Sequence, residues 1–157
     1  MNRYISKHKW SRVKRTGALL AFLFFSISLS SAQNKSADLQ QLPEKSQSFI
    51  QAHFSNLEVM RVKVKTKRDQ VEKYKVKMSG REKIEFDGNG DFYKIDMQCG
   101  KVPASLLSSS IKTYVSQHYP DLYITQLKFK KRYDEIELSN GLELEFDKNG
   151  RFLRIDD

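Results

Sequence analysis

The residues best suited to chemistry lie in two short acidic stretches. Asp87, Asn89 and Asp91, within EFDGNGDFYKID, have the D-x-N-x-D spacing by which a calcium loop aligns its oxygen ligands. An EF-hand loop also requires glycine at its sixth position and glutamate at its twelfth, and these are Phe92 and Gln98 here. The matching stretch EFDKNGRFLRID, residues 145–156, has Arg151 where the third ligand belongs, a cation in place of a metal. Asn-Gly between runs of alternating apolar and polar residues reads instead as a tight hairpin turn, with Gly90 and Gly150 supplying positive φ. No metal or cofactor is expected.

His53 and His118 fall at equivalent places near the ends of two amphipathic segments, where an imidazole caps the last carbonyls of a helix. A catalytic or metal-binding pair needs a nearby carboxylate or cysteine, and the sequence places none beside them. Ser108, Ser109 and Ser110 read as the polar surface of a helix. The chain has no nucleophile elbow, phosphate loop or H-E-x-x-H segment, so it is not expected to be an enzyme. Cys99 is the sole cysteine and cannot form an intramolecular disulfide; it is expected as a buried thiol between two repeats, with an intermolecular bond as the alternative.

The remaining candidates are charges set on alternate positions of predicted strands. Residues 61–83 hold ten basic and three acidic side chains. Lys63, Lys65, Lys73, Lys75 and Lys77 fall on the strand parity that faces away from the apolar positions, and the matching places later in the chain include Glu135, Glu137 and Glu143. Phe92 and Phe152 have the opposite parity to Tyr93/Ile95 and Leu153/Ile155, which places both rings on the same solvated face. With Lys128 and Lys130 among the later positions, one half of the face is basic and the other mixed to acidic, and such a face with two aromatic anchors can steer and hold a protein or peptide. Lysine-rich strands also resist edge pairing, which accounts for any single lysine without a partner.

These positions depend on an internal repeat. Residues 85–96 and 145–156 match at eight of twelve positions, sixty residues apart. Upstream, Leu42, Phe49, Ile50 and His53 share a helical face, as do Leu107, Ile111, Tyr114, Val115 and His118, and Pro120 stops the second helix. The spacing then predicts four strands after each helix. The repeat offset drops from 65 to about 60 between the first two strands, which predicts a longer hairpin loop within Thr66–Lys73. The fold class is therefore α+β: two tandem units, residues 42–98 and 99–157, each a helix followed by a four-stranded antiparallel meander. Both helices cover one face of a shared sheet, because a lone unit of this size would bury little surface.

Residues 1–32 are expected to be a secretory signal peptide, with an uncleaved anchor helix as the competing reading. Six basic residues from Arg3 to Arg15 precede an apolar run from Ala18 to Leu29, and Ser30 and Ala32 suit cleavage after Ala32. Residues 33–41 are expected as a flexible lead-in. The formal charge of +9 includes the six leader cations, so residues 33–157 carry +3. The basic character of the whole chain thus does not indicate nucleic acid binding.

Leu42-Pro43 and Val102-Pro103, the helices ending His-aromatic, Ser139-Asn140-Gly141-Leu142-Glu143-Leu144-Glu145-Phe146-Asp147 and the closing F-x-x-I-D together resemble the periplasmic PepSY-like domain. That family is grouped by fold with beta-lactamase inhibitory proteins. The resemblance covers nearly all of residues 42–157, and the first copy departs from it at Ser79-Gly80-Arg81-Glu82. It implies this fold and a periplasmic or secreted location; fold alone does not transfer activity. The expected function is non-catalytic binding of an extracytoplasmic protein or peptide on the open sheet face, with inhibition as one form of it. A small-ligand or ion-sensing module is the alternative, and anionic lipid or glycan is a lesser candidate partner.

Overall fold

The computed structural model describes residues 38–156. The expected signal peptide, residues 1–32, and residues 33–37 of the expected lead-in lie outside the described residues. The rest of that lead-in is structured: residues 38–40 are helical, and Leu39 packs against the core. Among the described residues, no helix is long and apolar enough to cross a membrane.

Helix α1, Glu44–His53, begins behind Pro43, with an acid in its first turn and a histidine in its last, both favourable to the helix dipole. Four strands follow: β1 (Val59–Lys67), β2 (Gln70–Met78), β3 (Lys83–Asp87) and β4 (Phe92–Asp96). A 3-10 turn at Ala104–Leu106 leads to α2, Ser109–His118, whose first turn is capped by the Ser108 hydroxyl accepting from the Ile111 amide at 3.2 Å. Strands β5 (Ile124–Phe129), β6 (Tyr133–Leu138), β7 (Glu143–Asp147) and β8 (Phe152–Asp156) complete the chain. All eight strands form one antiparallel sheet in sequence order.

The register explains why the sheet is continuous. Val62, Val76, Ile84, Ile95, Leu127, Ile136, Leu144 and Ile155 are paired in turn across the eight strands. This aliphatic row lies on the face that both helices cover. Phe49 of α1 meets Phe86 edge-on at 5.7 Å, and Tyr114 of α2 meets Phe146 likewise at 5.4 Å. Burial of the row from Val62 to Leu144 and of Phe54, Phe86 and Phe146 supplies most of the core, at about 1.5–3 kcal/mol per fully buried large side chain.

Each Asn-Gly turn is held against the start of its helix. The buried Ser46 hydroxyl donates to the Gly90 carbonyl at 2.9 Å, and a Cβ on Gly90 would meet Pro43 Cβ and Ser46 Oγ at 2.9 Å. Gly90 and Gly150 have φ of +86 and +78. Asp87 Oδ1 accepts from the amides of Asn89 and Asp91, and Asp147 Oδ1 from those of Asn149 and Arg151, all at 2.9 Å. The D-x-N-x-D spacing thus organises a turn around its own backbone amides.

Three expectations are corrected. Phe92 and Phe152 are on the helix-covered face, not the solvated one. A β-bulge shifts the register between Glu85↔Lys94 and Phe86↔Phe92, and again between Glu145↔Arg154 and Phe146↔Phe152. The extra residue reverses the parity, so Phe92 stacks on Phe49 at 4.4 Å and Phe152 on Tyr114 at 4.7 Å. The long loop expected within Thr66–Lys73 is instead a two-residue turn, Arg68–Asp69, with φ of 50 and 61, as a type I′ hairpin requires. The additional residues extend β1 and β2 to nine residues each, against six in β5 and β6. Cys99 is exposed rather than buried, because it follows Gln98, which turns the chain at φ 56.

Candidate functional site

The face opposite the helices carries two charged rows as continuous as the aliphatic one. Lys63, Lys75, Glu85, Lys94, Lys128, Glu135, Glu145 and Arg154 form one row, paired in turn from β1 to β8. The second runs Arg61, Lys77, Lys83, Asp96, Gln126, Glu137, Glu143, Asp156. The sequence-predicted residues Lys63, Lys75, Lys77, Glu135, Glu137 and Glu143 therefore do share this face. Lys65 and Lys73 pair with each other at its β1–β2 end.

Their partners divide them into two groups. In the first half, Lys73 and Lys75 reach Glu85 at 3.2 and 3.0 Å, and the Tyr93 hydroxyl donates to the same carboxylate. Burial alone would raise the Glu85 pKa, but the bonds from Tyr93, Lys75 and Lys73 outweigh it and hold it at about 2. Burial and then the Glu85 charge push the Tyr93 phenol up. In the second half, Glu135 is 5% exposed and receives Lys128 at 2.9 Å and Lys130. Its burial opposes ionisation, and the two ammonium groups overcome it, lowering its pKa. These groups are bound to one another within the fold. Lys63 and Lys77 make no ion pair among the described residues and remain available to an outside anion, as Glu143 does to a cation.

The two halves differ in sign at equivalent pairs. Lys75↔Glu85 and Lys83↔Asp96 become Glu135↔Glu145 and Glu143↔Asp156, and Lys77↔Lys83 becomes Glu137↔Glu143. Like charges directly across a ladder destabilise it unless a counter-charge lies close. Arg154 supplies one to Glu145 at 2.9 Å. The other oxygen of Glu145 is buried without a hydrogen-bond partner, and that residue is 3% exposed. Carboxylate oxygens of Glu135, Glu145 and Asp156 lie within 4.8 Å of one another, so these three residues could hold a cation if Lys128, Lys130 and Arg154 moved aside.

Of the two described histidines, His118 reaches a carbonyl of its own helix end, whereas His53 reaches the 3-10 turn instead. His118 Nδ1 lies 3.0 Å from the Tyr114 carbonyl with its ring stacked on Tyr114, and His53 Nδ1 lies 3.3 Å from Ser105 Oγ. Sequence reasoning missed Tyr93 and Glu85 as the centre of the first-half network. The available signal was the pair of adjacent apolar residues opening each final strand, Phe92-Tyr93 and Phe152-Leu153, which marks an inserted residue and hence a bulge.

A family described as beta-lactamase-inhibitor-like, PepSY-like matches residues 29–92 and 72–154. Solved structures share the fold, among them three periplasmic proteins. One, a Bacteroides thetaiotaomicron periplasmic protein described as calcium-regulated, is 31% identical with a TM-score of 0.71, covering 76% of this chain and 93% of that one. A DUF2874-family periplasmic protein from Bacteroides vulgatus is 32% identical with a TM-score of 0.70 over the same shares. Another Bacteroides vulgatus periplasmic protein is 28% identical, with a TM-score of 0.72, covering 76% and 95%. No curated protein sequence matches the chain.

Proposed function

The chain belongs to the beta-lactamase-inhibitor-like, PepSY-like family, and we propose that it acts in the periplasm as a non-catalytic protein that docks a protein or peptide on the open face of its sheet. The observation that carries this reading is an eight-stranded face that no described element roofs, on which the charges without an ion pair among the described residues are basic on β1–β2 and acidic on β7–β8. Such a surface steers a partner of opposite polarity and fixes its orientation. Inhibition of an extracytoplasmic hydrolase is the finer form of the reading, in keeping with the family's description.

Arg61, Lys63 and Lys77 are exposed and make no ion pair among the described residues, so reversing all three to glutamate removes no member of the internal network. The wild-type chain is expected to capture a periplasmic partner in a salt-sensitive manner, and the triple variant, with unchanged circular dichroism, to lose it. Equal capture by both refutes the open-face reading.

An ion-sensing reading draws on the clustered carboxylates of Glu135, Glu145 and Asp156 and on the calcium-regulated description of one neighbour. It predicts that calcium raises the melting temperature and that Asp156→Asn removes the rise.

A further inference from the structure

Strands β4 and β8 end the two matching halves, with Phe92/Phe152, Ile95/Ile155 and Asp96/Asp156 in equivalent places. Their outer edges are treated differently. Strand β5 lies along β4, pairing Asp96 with Gln126, Ile95 with Leu127 and Lys94 with Lys128. Ile95 is thereby 0% exposed, and the Phe129 ring stands 5.2 Å from Phe92. Among the described residues, nothing lies along β8. Ile155 is 44% and Leu153 46% exposed, and Phe152 borders an open cleft of about 520 Å³ with Tyr114, Thr113, Gln117 and Arg151 on its walls.

We propose that the free edge of β8 accepts an extended segment of a partner protein as a ninth antiparallel strand. The segment places an aliphatic side chain on Ile155 and an aromatic one two residues later against Phe152, as Leu127 and Phe129 do on β4. Main-chain bonds to an open edge supply the attachment, and alternate side chains supply the selectivity. The β8 edge adds its own charge preference. A base before the aliphatic residue meets Asp156, whose cross-strand neighbour is Glu143, and an acid after it meets Arg154. The recognised pattern is basic–aliphatic–acidic–aromatic.

A second copy of this chain fits less well. Its β1 is the strand equivalent to β5, but β1 offers Val64 in place of the aromatic ring. Its next outward-facing cations, Lys65 and Lys67, would run towards Lys148 and Arg151. Arg154 and Asp156 belong to both the edge and the open face, but the main-chain bonds and the contacts on Ile155 and Phe152 do not depend on a partner of that face.

The test measures fluorescence anisotropy of three labelled peptides with the full chain: residues 122–131 with Gln126→Lys and Lys128→Glu, the same peptide with Phe129→Ala, and residues 57–66. The first is expected to bind, and loss of its ring to weaken binding about tenfold or more. Ile155→Lys in the protein weakens it similarly while the chain still melts cooperatively within a few degrees of wild type, since that side chain is already half in water. Absence of binding at about 1 mM peptide overturns the proposal, as does binding indifferent to either substitution. Equal binding of residues 57–66, with self-association in sedimentation, also overturns it and assigns the edge to a second copy.

Discussion

Ile95→Ala and Ile155→Ala remove the same three carbons from equivalent positions, yet the sheet assigns them different costs. Ile95 sits between Ile84 and Leu127, on a row where all three are essentially inaccessible to solvent. Truncation there loses the transfer energy and leaves a cavity, together roughly 3–4 kcal/mol. Ile155 pairs only with Leu144 and is 44% exposed, so water fills the space and about half the transfer term remains, roughly 1 kcal/mol. Urea unfolding followed by circular dichroism at low micromolar protein reads the difference directly. With a slope near 2 kcal/mol/M, the midpoints fall by about 1.5–2 M for Ile95→Ala and about 0.5 M for Ile155→Ala. Equal shifts with unchanged slopes would refute the argument, because they would mean that the β8 edge is covered in solution. Repeating the titration across protein concentrations shows whether the cover is another copy.

Two further outcomes follow from the turns and the ion network. Gly90→Ala meets both a positive φ and the Pro43 and Ser46 side chains, whereas Gly141, at φ +87, has nothing within 4 Å; thermal melts should show a loss of about 1 kcal/mol for Gly141→Ala and about 2 or more for Gly90→Ala, and equal losses would discount the helix contact. The Glu85 pKa is depressed to about 2 in the folded chain, so its contribution is full above the unfolded value near 4.5 and fades as pH falls towards 2. Discounted for partial exposure, Glu85→Gln should lower stability by about 1–2 kcal/mol at pH 6, with the gap to wild type closing by pH 2; a gap independent of pH would show that the charge is not the source.

The architecture was legible because periodicity and repetition spoke together. The Asn-Gly turns, the helical faces ending at His53 and His118, and the alternating strands each have a local physical cause, and the repeat checks one copy against the other. What failed was anything that depended on a count of one. Parity placed Phe92 and Phe152 on the solvated face, and a single inserted residue in each final strand moved them under the helices. Extra residues in one hairpin carry no sign of whether they lengthen the turn or the strands; here Arg68 and Asp69 tolerate positive φ and let the ladder continue to Lys67↔Gln70. The charges of the open face were visible as residue types. Which were already neutralised was not, since Glu135 and Lys128 meet only through pairing of β5 with β6.

The unbroken strand order has a kinetic corollary. Every strand pairs only with its neighbours in the chain: the shortest closure brings Lys67 to Gln70, and the longest, across α2, brings Asp96 to Gln126. Loop-closure entropy is therefore met in short steps, and the contact order is low for a sheet of eight strands. Such a chain refolds by accretion of adjacent hairpins rather than by a search for distant pairings. Delivered N-terminus first, it can close β1 on β2 before its last strand has emerged.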